Sequence, residues 1–317
     1  MIFHFNFNQS YFLSKALKTV FDCKTVATVH FIKWMLELQG NLTRWKSIKS
    51  KPENQRTHYE QFLFATDEYE GRLYKEVDRV IALSLYTQHH LCNEYKLHPD
   101  KISVIPNGLE DVQPLLDTDK ADLRRKRNIS EKEYVILFAG RLQAVKGLMF
   151  LLKAFREVLQ IIPTCRLLIA GGGNNEAYLR EALTISDKIS FTGFLEKNDL
   201  YELYRIADIG VMPSLNEQCS YVSIEMMRHG LPITVSTTTG LKEMIVDGET
   251  GFHIPVIESV DKAEIDTALL AEKIIFLLKN PSEAKRLGEN ARKHYETKYS
   301  SKLFRKNMID FYQSLYD

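Results

Sequence analysis

The chain has 317 residues, more than one compact domain ordinarily holds and enough for two. Hydrophobic residues make up 44% and charged residues 26%, as in globular proteins, which excludes disordered, collagen-like and fibrous classes. Lys and Arg number 42 against 41 Asp and Glu, so no bulk positive field favours nucleic acid and any anion site must be local.

The first hundred residues hold four short β-rich runs, IFHFNF, KTVATVH, DRVIALS and KISVIPNG, with helical stretches between them. The start, MIFHFNFNQS, has neither the basic nor the extended apolar region of a secretory signal. No apolar run approaches the roughly 18 residues that span a bilayer, and a cytoplasmic protein is expected. Cys23, Cys92, Cys165 and Cys219 lie far apart without a CxxC pair, which favours reduced thiols over disulfides or structural zinc. His30 ends KTVATVH, aimed at the crevice if that strand is parallel. There it could bond a substrate, act as acid or base, or be a satisfied structural histidine. The basic, aromatic stretch TRWKSIKSK would suit an anionic membrane surface or lipid phosphate, but a solvated loop is the preferred expectation.

Pro106, Asn107 and Gly108 form a turn triplet, and residues 109–132 are polar. A domain boundary is expected there, giving a first domain over 1–115 and a second over 116–298. A final helix over 299–317 could return to the first. Asp117 and Asp119 spell DxD but follow no strand, so they are rejected as a metal site. The histidines show no HxxxH or HExxH spacing, and no metal is expected.

From residue 134 to 255 short strands alternate with helices: YVILFAG, KGLMFLLKAFREVLQ, CRLLIAGGG, NEAYLREAL, KISFTG, DLYELYRIA, DIGVMPS, SYVSIEMMRHG and LPITVST. Repeated βα units of this length imply a parallel sheet covered on both faces, a doubly wound α/β domain. Gly230 and Pro232 end one helix. Residues 262–316 read as helical throughout, without a strand.

Ligands of such sheets sit beyond the carboxyl ends of the strands. After YVILFAG, with Gly140 at its end, Arg141 and Lys146 flank a short loop that opens a helix, a place for a phosphate or simply two solvated charges. After CRLLIA, Gly171, Gly172 and Gly173 permit close backbone approach, but Glu176 breaks the dinucleotide fingerprint, and a tight turn is the commoner explanation. After DIGVMPS, Glu217 and Glu225 stand eight residues apart, with Ser220, Tyr221 and Val222 beginning a helix between them. Helix N–H groups there would take phosphates while each carboxylate accepts from sugar hydroxyls; a loop carboxylate and a plain helix charge are the alternative. Glu243 could face the crevice or solvent.

In this order the pieces resemble the GT-B glycosyltransferases, in particular the retaining family 4 or group 1 enzymes, from about residue 25 to 255. VIPNGLE resembles the hinge-side strand and turn, LFAGRLQAVKG the phosphate segment, LLIAGGG and ISFTGFL the nucleotide-side strands, NEQCSYVSIEMMRHGLPITVS the E-x7-E segment, and TVHF the strand-ending histidine. The resemblance implies two Rossmann-like doubly wound domains. Arg141 and Lys146 would bind the donor diphosphate, Gly140, Gly172, Gly173 and Phe194 would lie near the donor or base, and Ser220, Tyr221 and Val222 would open the donor helix. Glu217 would hold donor-sugar hydroxyls, Glu225 the ribose, and His30 would face the sugar. Met1 stands where the family has its third or fourth strand, so a truncated first domain is expected. Gln218-Cys219-Ser220-Tyr221 replaces the Pro-Phe-Gly that often follows the first glutamate.

The implied activity is metal-independent, retaining transfer of a sugar from a nucleotide-diphosphate sugar to a glycan or lipid-linked acceptor, as in surface polysaccharide assembly. No cofactor and no nucleic-acid partner are expected, and a peripheral contact with the inner membrane face is an added expectation. The alternatives are an epimerase or hydrolase on the same fold, a non-catalytic nucleotide-sugar-binding or scaffold subunit, and, disfavoured by the failed fingerprint, a dinucleotide oxidoreductase.

Overall fold

The computed structural model describes residues 1–111 and 119–316. Among these the strands form a four-stranded sheet, a six-stranded sheet and one short hairpin. In the first sheet β1 (Ile2–Phe5), β2 (Lys24–Val29), β3 (Arg79–Ala82) and β4 (Ile102–Val104) lie side by side in chain order, every pair parallel. Parallel neighbours need crossovers. These are α1 (Tyr11–Val20); then α2 (Lys33–Glu37), α3 (Leu42–Ser50) and α4 (His58–Glu76); then α5 (Leu85–Tyr95).

The second half opens with α6 (Lys120–Lys126). It continues as β5 (Tyr134–Ala139), α7 (Leu148–Ile161), β6 (Cys165–Ala170), α8 (Glu176–Ala182), β7 (Ile189–Gly193), α9 (Lys197–Ile206), β8 (Ile209–Met212), α10 (Tyr221–Arg228), β9 (Ile233–Ser236), α11 (Leu241–Met244) and β10 (Gly251–Ile254). The order across the sheet is β10-β9-β8-β5-β6-β7, all parallel, so the winding reverses between β5 and β8. β5 and β6 are almost continuously apolar because helices cover both faces. On α7, Leu148, Leu151, Leu152, Phe155 and Val158 recur at helical spacing and are buried against that sheet. These are two Rossmann-like α/β units, as the residue patterns imply.

Three helices close the chain: α12 (Thr267–Lys279), α13 (Pro281–Lys298) and α14 (Ser301–Gln313). α14 packs on the first sheet, where Phe311 joins Val26, Ile81 and Ile105 in one apolar cluster. Its Tyr312 Oη lies 2.5 Å from His4 Nδ1, and His4 Nε2 lies 2.7 Å from Thr28 Oγ1.

Two expectations are corrected. Residues 262–316 are not wholly helical, because β12 (Ala263–Ile265) pairs antiparallel with β11 (Val256–Glu258). The stretch around Trp45 is not a solvated loop but α3. Trp45 is 1% exposed and stacks on Trp34 with ring centroids 5.1 Å apart and planes at 7°. Its basic residues stay outside: Lys49 pairs with Glu94, and Lys51 meets Glu60 at 2.6 Å. The boundary placed at 115/116 and the residue Asp117 lie outside the described residues; Asp119 caps α6 through the Ala121 N–H.

Candidate active site

The reversal between β5 and β8 splays apart the loops that follow them, and two charged side chains meet across the gap. Lys146 Nζ stands 2.5 Å from Glu217 Oε1, with the side chains 17% and 12% exposed. The backbone presses the loops together: Leu215 N–H donates to the Val145 carbonyl at 2.7 Å. A Cβ at Gly147 would fall 1.8 Å from the Pro213 oxygen, and φ there is +70°. Glycine is what lets Lys146 sit beside the β8 loop at the start of α7.

Glu217 is held from several sides. Ser214 Oγ donates to its carboxylate at 3.3 Å, its own N–H donates to Thr239 Oγ1 at 2.9 Å, and Gly240 N–H donates to its carbonyl at 2.8 Å. The loops after β8 and β9 are therefore bonded to one another through Glu217. Three residues after Glu217, Ser220 caps α10, its Oγ accepting from Ser223 N–H at 3.2 Å. The spacing from Glu217 to Glu225 is thus part loop and part helix.

Arg141 lies in the same loop as Lys146, exposed, with no side-chain partner among the described residues. Gly140, Gly171 and Gly173 have φ of +145°, +146° and +141°. A Cβ at Gly171 would fall 1.8 Å from the Gly140 oxygen, so the ends of β5 and β6 lie backbone to backbone. Gly172 is beside Phe194, which is 80% exposed, and Tyr221 is 51% exposed. Val222 is half-buried at the start of α10. Glu225, one turn into α10, bends toward α9 and accepts from Tyr204 Oη at 2.8 Å. Burial holds its carboxyl above the usual range, the Tyr204 bond opposing.

The facing wall comes from the first sheet. His30, just past β2, places Nε2 2.9 Å from Asn6 Oδ1, and burial lowers its pKa. A Cβ at Gly40 would strike the Leu215 oxygen at 2.3 Å, and Asn41 Nδ2 donates to the Ser259 carbonyl at 2.8 Å. Gln218 bonds to Thr87 of α5. Glu243 accepts from the N–H groups of Leu85 and Tyr86. Between these contacts lies a cavity of about 190 Å³ lined by Ser84, Pro106, Gln218, Gly240 and Glu243. Gly40 and Thr87 carry no sequence signal of their own, because each acts on a partner far along the chain.

Lys146 and Glu217 are therefore in contact, with Arg141 and the α10 start on the same two loops. His30 stands on the other half, and Glu225 shares no direct bond with the pair. A cation and a carboxylate at a sheet's reversal point, beside two helix starts, can exchange each other for an anion and for hydroxyl groups.

Comparison with known families settles the descent of this arrangement. Glycosyl transferases group 1 matches residues 119–294, and Glycosyltransferase Family 4 matches residues 2–112. The chain belongs to the group 1 glycosyl transferases. The group 1 region contains Arg141, Lys146, Glu217 and Glu225, and the family 4 region contains His30. An uncharacterised glycosyltransferase of Methanocaldococcus jannaschii is 33% identical over 183 residues, 56% of this chain and 46% of its own. A D-inositol 3-phosphate glycosyltransferase of Corynebacterium efficiens is 31% identical over 69% of this chain and 53% of its own. The chain spans about half the length of the curated relatives it matches. Sucrose-phosphate synthase from Thermosynechococcus elongatus superposes with a TM-score of 0.76 at 24% identity, covering 99% of this chain and 73% of that one. Anabaena HepE in complex with UDP gives 0.77 at 17%, covering 99% and 78%. At these identities the likeness is one of fold, and the group 1 fold is the GT-B arrangement of two α/β units. No helix among the described residues is long and apolar enough to cross a membrane. No group of three or more His, Cys, Asp or Glu among them is placed to hold a metal ion.

Proposed function

We propose that this group 1 chain is a retaining glycosyltransferase that moves a sugar from a nucleotide-diphosphate sugar to a glycan or lipid-linked acceptor. The observation that carries it is the contact between Lys146 and Glu217 across the β5/β8 reversal. On donor binding the diphosphate takes Lys146 and Arg141, and sugar hydroxyls take the freed Glu217. Glu225 accepts from the ribose, and His30 faces the sugar from the opposite wall. Gly140, Gly172, Gly173 and Phe194 border the donor, and Ser220, Tyr221 and Val222 present the start of α10 to its phosphates. Negative charge growing on the departing nucleoside diphosphate is then met by two cations and a helix end, so the chemistry needs no metal or cofactor. The acceptor enters from the first sheet and attacks on the leaving-group face.

Relatives support the substrate class: HepE is known with UDP and with UDP-glucose, and a Salmonella typhimurium lipopolysaccharide 1,2-N-acetylglucosaminetransferase is 27% identical over 65% of the chain. A cytoplasmic place with peripheral membrane contact would fit such acceptors, and the exposed Arg44 and Lys46 of α3 would supply cations for it. Replacing Arg141 or Lys146 by Ala should lower turnover of a UDP-sugar more than tenfold; unaltered turnover in both variants would remove the assignment. One second reading is a donor-binding subunit without turnover. UDP binding without product over a panel of acceptors would select it.

A further inference from the structure

One helix of the first half shows its apolar side to the outside. On α1 the inward face is mixed: Ser14 is wholly buried, its Oγ without a hydrogen-bond partner, and Lys18 Nζ donates to the Glu76 carbonyl of α4 at 2.7 Å. Tyr11 and Leu17 lean inward beside them. On the outward face Phe12, Ala16 and Val20 recur every four residues, with Leu13 alongside. Phe12, Leu13 and Val20 are 69%, 54% and 70% exposed. A helix packed only on the core beneath it turns its apolar stripe the other way. Phe7, three residues before the N-cap, and Phe21, the C-cap, are exposed as well. A contiguous patch of this kind marks an interaction surface, where single exposed residues would not.

The patch leads into a cavity. Tyr11 and Phe12 both lie against Tyr69 of α4, with ring centroids 6.0 and 6.1 Å away, and Tyr69 lines a cavity of about 350 Å³ with Phe31, Phe62 and Ala65. Its buried polar side chains, Asn8 and Glu70, are bonded to one another at 2.8 Å, and Lys33, also in the lining, pairs with Glu37. Aromatic and aliphatic surface is what remains for an occupant.

Residues 1–32 hold one carboxylate, Asp22, against Lys15, Lys18 and Lys24, and α1 holds none. Lys18 is taken up by Glu76 and Asp78. Lys15 and Lys24 are exposed, with no carboxylate partner among the described residues. The patch is therefore apolar with a small positive margin. α3 differs: it carries more cations, but its Trp45 and Ile48 are buried and it has no such face to insert.

We infer that α1, with Phe7 and Phe21, docks on an anionic lipid surface, its apolar face among the chains and Lys15 and Lys24 at the head groups. Binding of a surface helix draws on buried apolar area together with attraction to anionic lipid, and α1 brings both. A second copy laid helix to helix would cover the stripe and leave the cavity unfilled, whereas fluid chains fill both. This placement rests on the membrane contact proposed above, not on any role in the donor crevice.

The full-length chain is sedimented with vesicles of phosphatidylcholine alone and of phosphatidylcholine mixed with phosphatidylglycerol. It should bind the mixed vesicles at least threefold more tightly. Phe12→Ser combined with Leu13→Ser, both at exposed positions, should weaken that binding at least tenfold. Ile309→Ser, at an exposed position on α14, should leave it unchanged. Lys15→Glu should reduce the preference for the anionic vesicles. In Phe12→Trp the added indole should emit further to the blue on vesicles and be quenched by brominated lipid. Binding that survives the double serine change, or that Arg44→Ala with Lys46→Ala alone abolishes, overturns the α1 surface and puts the membrane contact elsewhere. No binding to either vesicle overturns the contact itself. A dimer in sedimentation that the double serine change dissolves gives the face to a second copy and overturns the lipid. UDP affinity of the same variants should not move, so the donor site is judged separately.

Discussion

Glu243 of α11 accepts hydrogen bonds from the backbone N–H of Leu85 at 2.8 Å and of Tyr86 at 2.6 Å, the first residues of α5. α11 follows the second sheet and α5 follows the first, so a carboxylate of one half completes the helix start of the other. The helix dipole and two unpaired donors favour an anion there. Beside it, Asn107 Nδ2 donates to the Cys219 carbonyl at 3.2 Å, and Gln218 bonds to Thr87. Closure of the crevice therefore depends on directed bonds at the start of α5 as well as on packing.

Glu243→Ala removes a charge at a helix start that is ordinarily worth about 0.3–1 kcal/mol, and up to about 2 where partly buried. The expected result is a looser pair of halves, seen as a larger radius of gyration in solution scattering, with UDP affinity reduced several-fold. Glu243→Gln, which keeps one acceptor, should fall between. If neither quantity moves in Glu243→Ala, the bond does not set closure.

The contact of Lys146 with Glu217 makes two distinguishable predictions. In chemical denaturation the single alanine variants and their double variant should show a coupling of about 0.5–3 kcal/mol, because each charge loses its partner in a mostly buried place. In ligand binding the two residues should separate. Lys146→Ala should weaken UDP more than tenfold, while Glu217→Gln should leave UDP nearly as tight and weaken only the sugar nucleotide. Equal losses of UDP in both variants would contradict the roles assigned to them.

Gly147 and Gly248 share a left-handed backbone, with φ of +70° and +71°, yet their surroundings differ. A Cβ at Gly147 meets the Pro213 oxygen at 1.8 Å, whereas at Gly248 nothing lies within 4 Å. Gly248→Ala should cost only the conformational penalty, roughly 1–2 kcal/mol. Gly147→Ala adds displacement of the β8 loop and should lower both the urea midpoint and UDP affinity further. Similar effects from the two changes would mean that the loops after β5 and β8 are not locked at this point.

What was legible in the sequence, and what was not, follows from where the information lies. β5 and β6 announce themselves because strands buried on both faces must be nearly all apolar. α3 does not, because Arg44, Lys46 and Lys49 dominate its composition while Trp45 is buried by a ring stack with Trp34, eleven positions back. β12 is three residues long and gains its identity from pairing with β11. The types of the crevice residues could be read from their places after strands, but their directions could not. Glu225 turns to Tyr204, and Glu243 finds its donors some 158 positions earlier in the chain. A side chain's partner across a fold is a tertiary fact, and only the loop that carries it is local.

Glu70 offers a test of electrostatics in the first half. It is 2% exposed, accepts from Asn8 Nδ2 at 2.8 Å and from the Lys33 N–H at 3.3 Å, and borders an apolar cavity of about 350 Å³ with Phe31, Phe62 and Tyr69. Burial pushes its carboxyl up to about 7, against bonds that act to lower it. A folded-state value above the unfolded one means that protonation favours the fold. This contribution is complete below about pH 4.5 and is lost as pH rises through about 7. The change is roughly 3 kcal/mol between pH 4.5 and 8. Glu70→Gln, which cannot ionise, should flatten that part of the stability profile. The variant should therefore gain on the unaltered chain in urea midpoint on going from pH 5 to pH 8. Parallel profiles for the two proteins over this interval would show that the Glu70 carboxyl titrates in the ordinary range and that its surroundings are wetter than its burial implies.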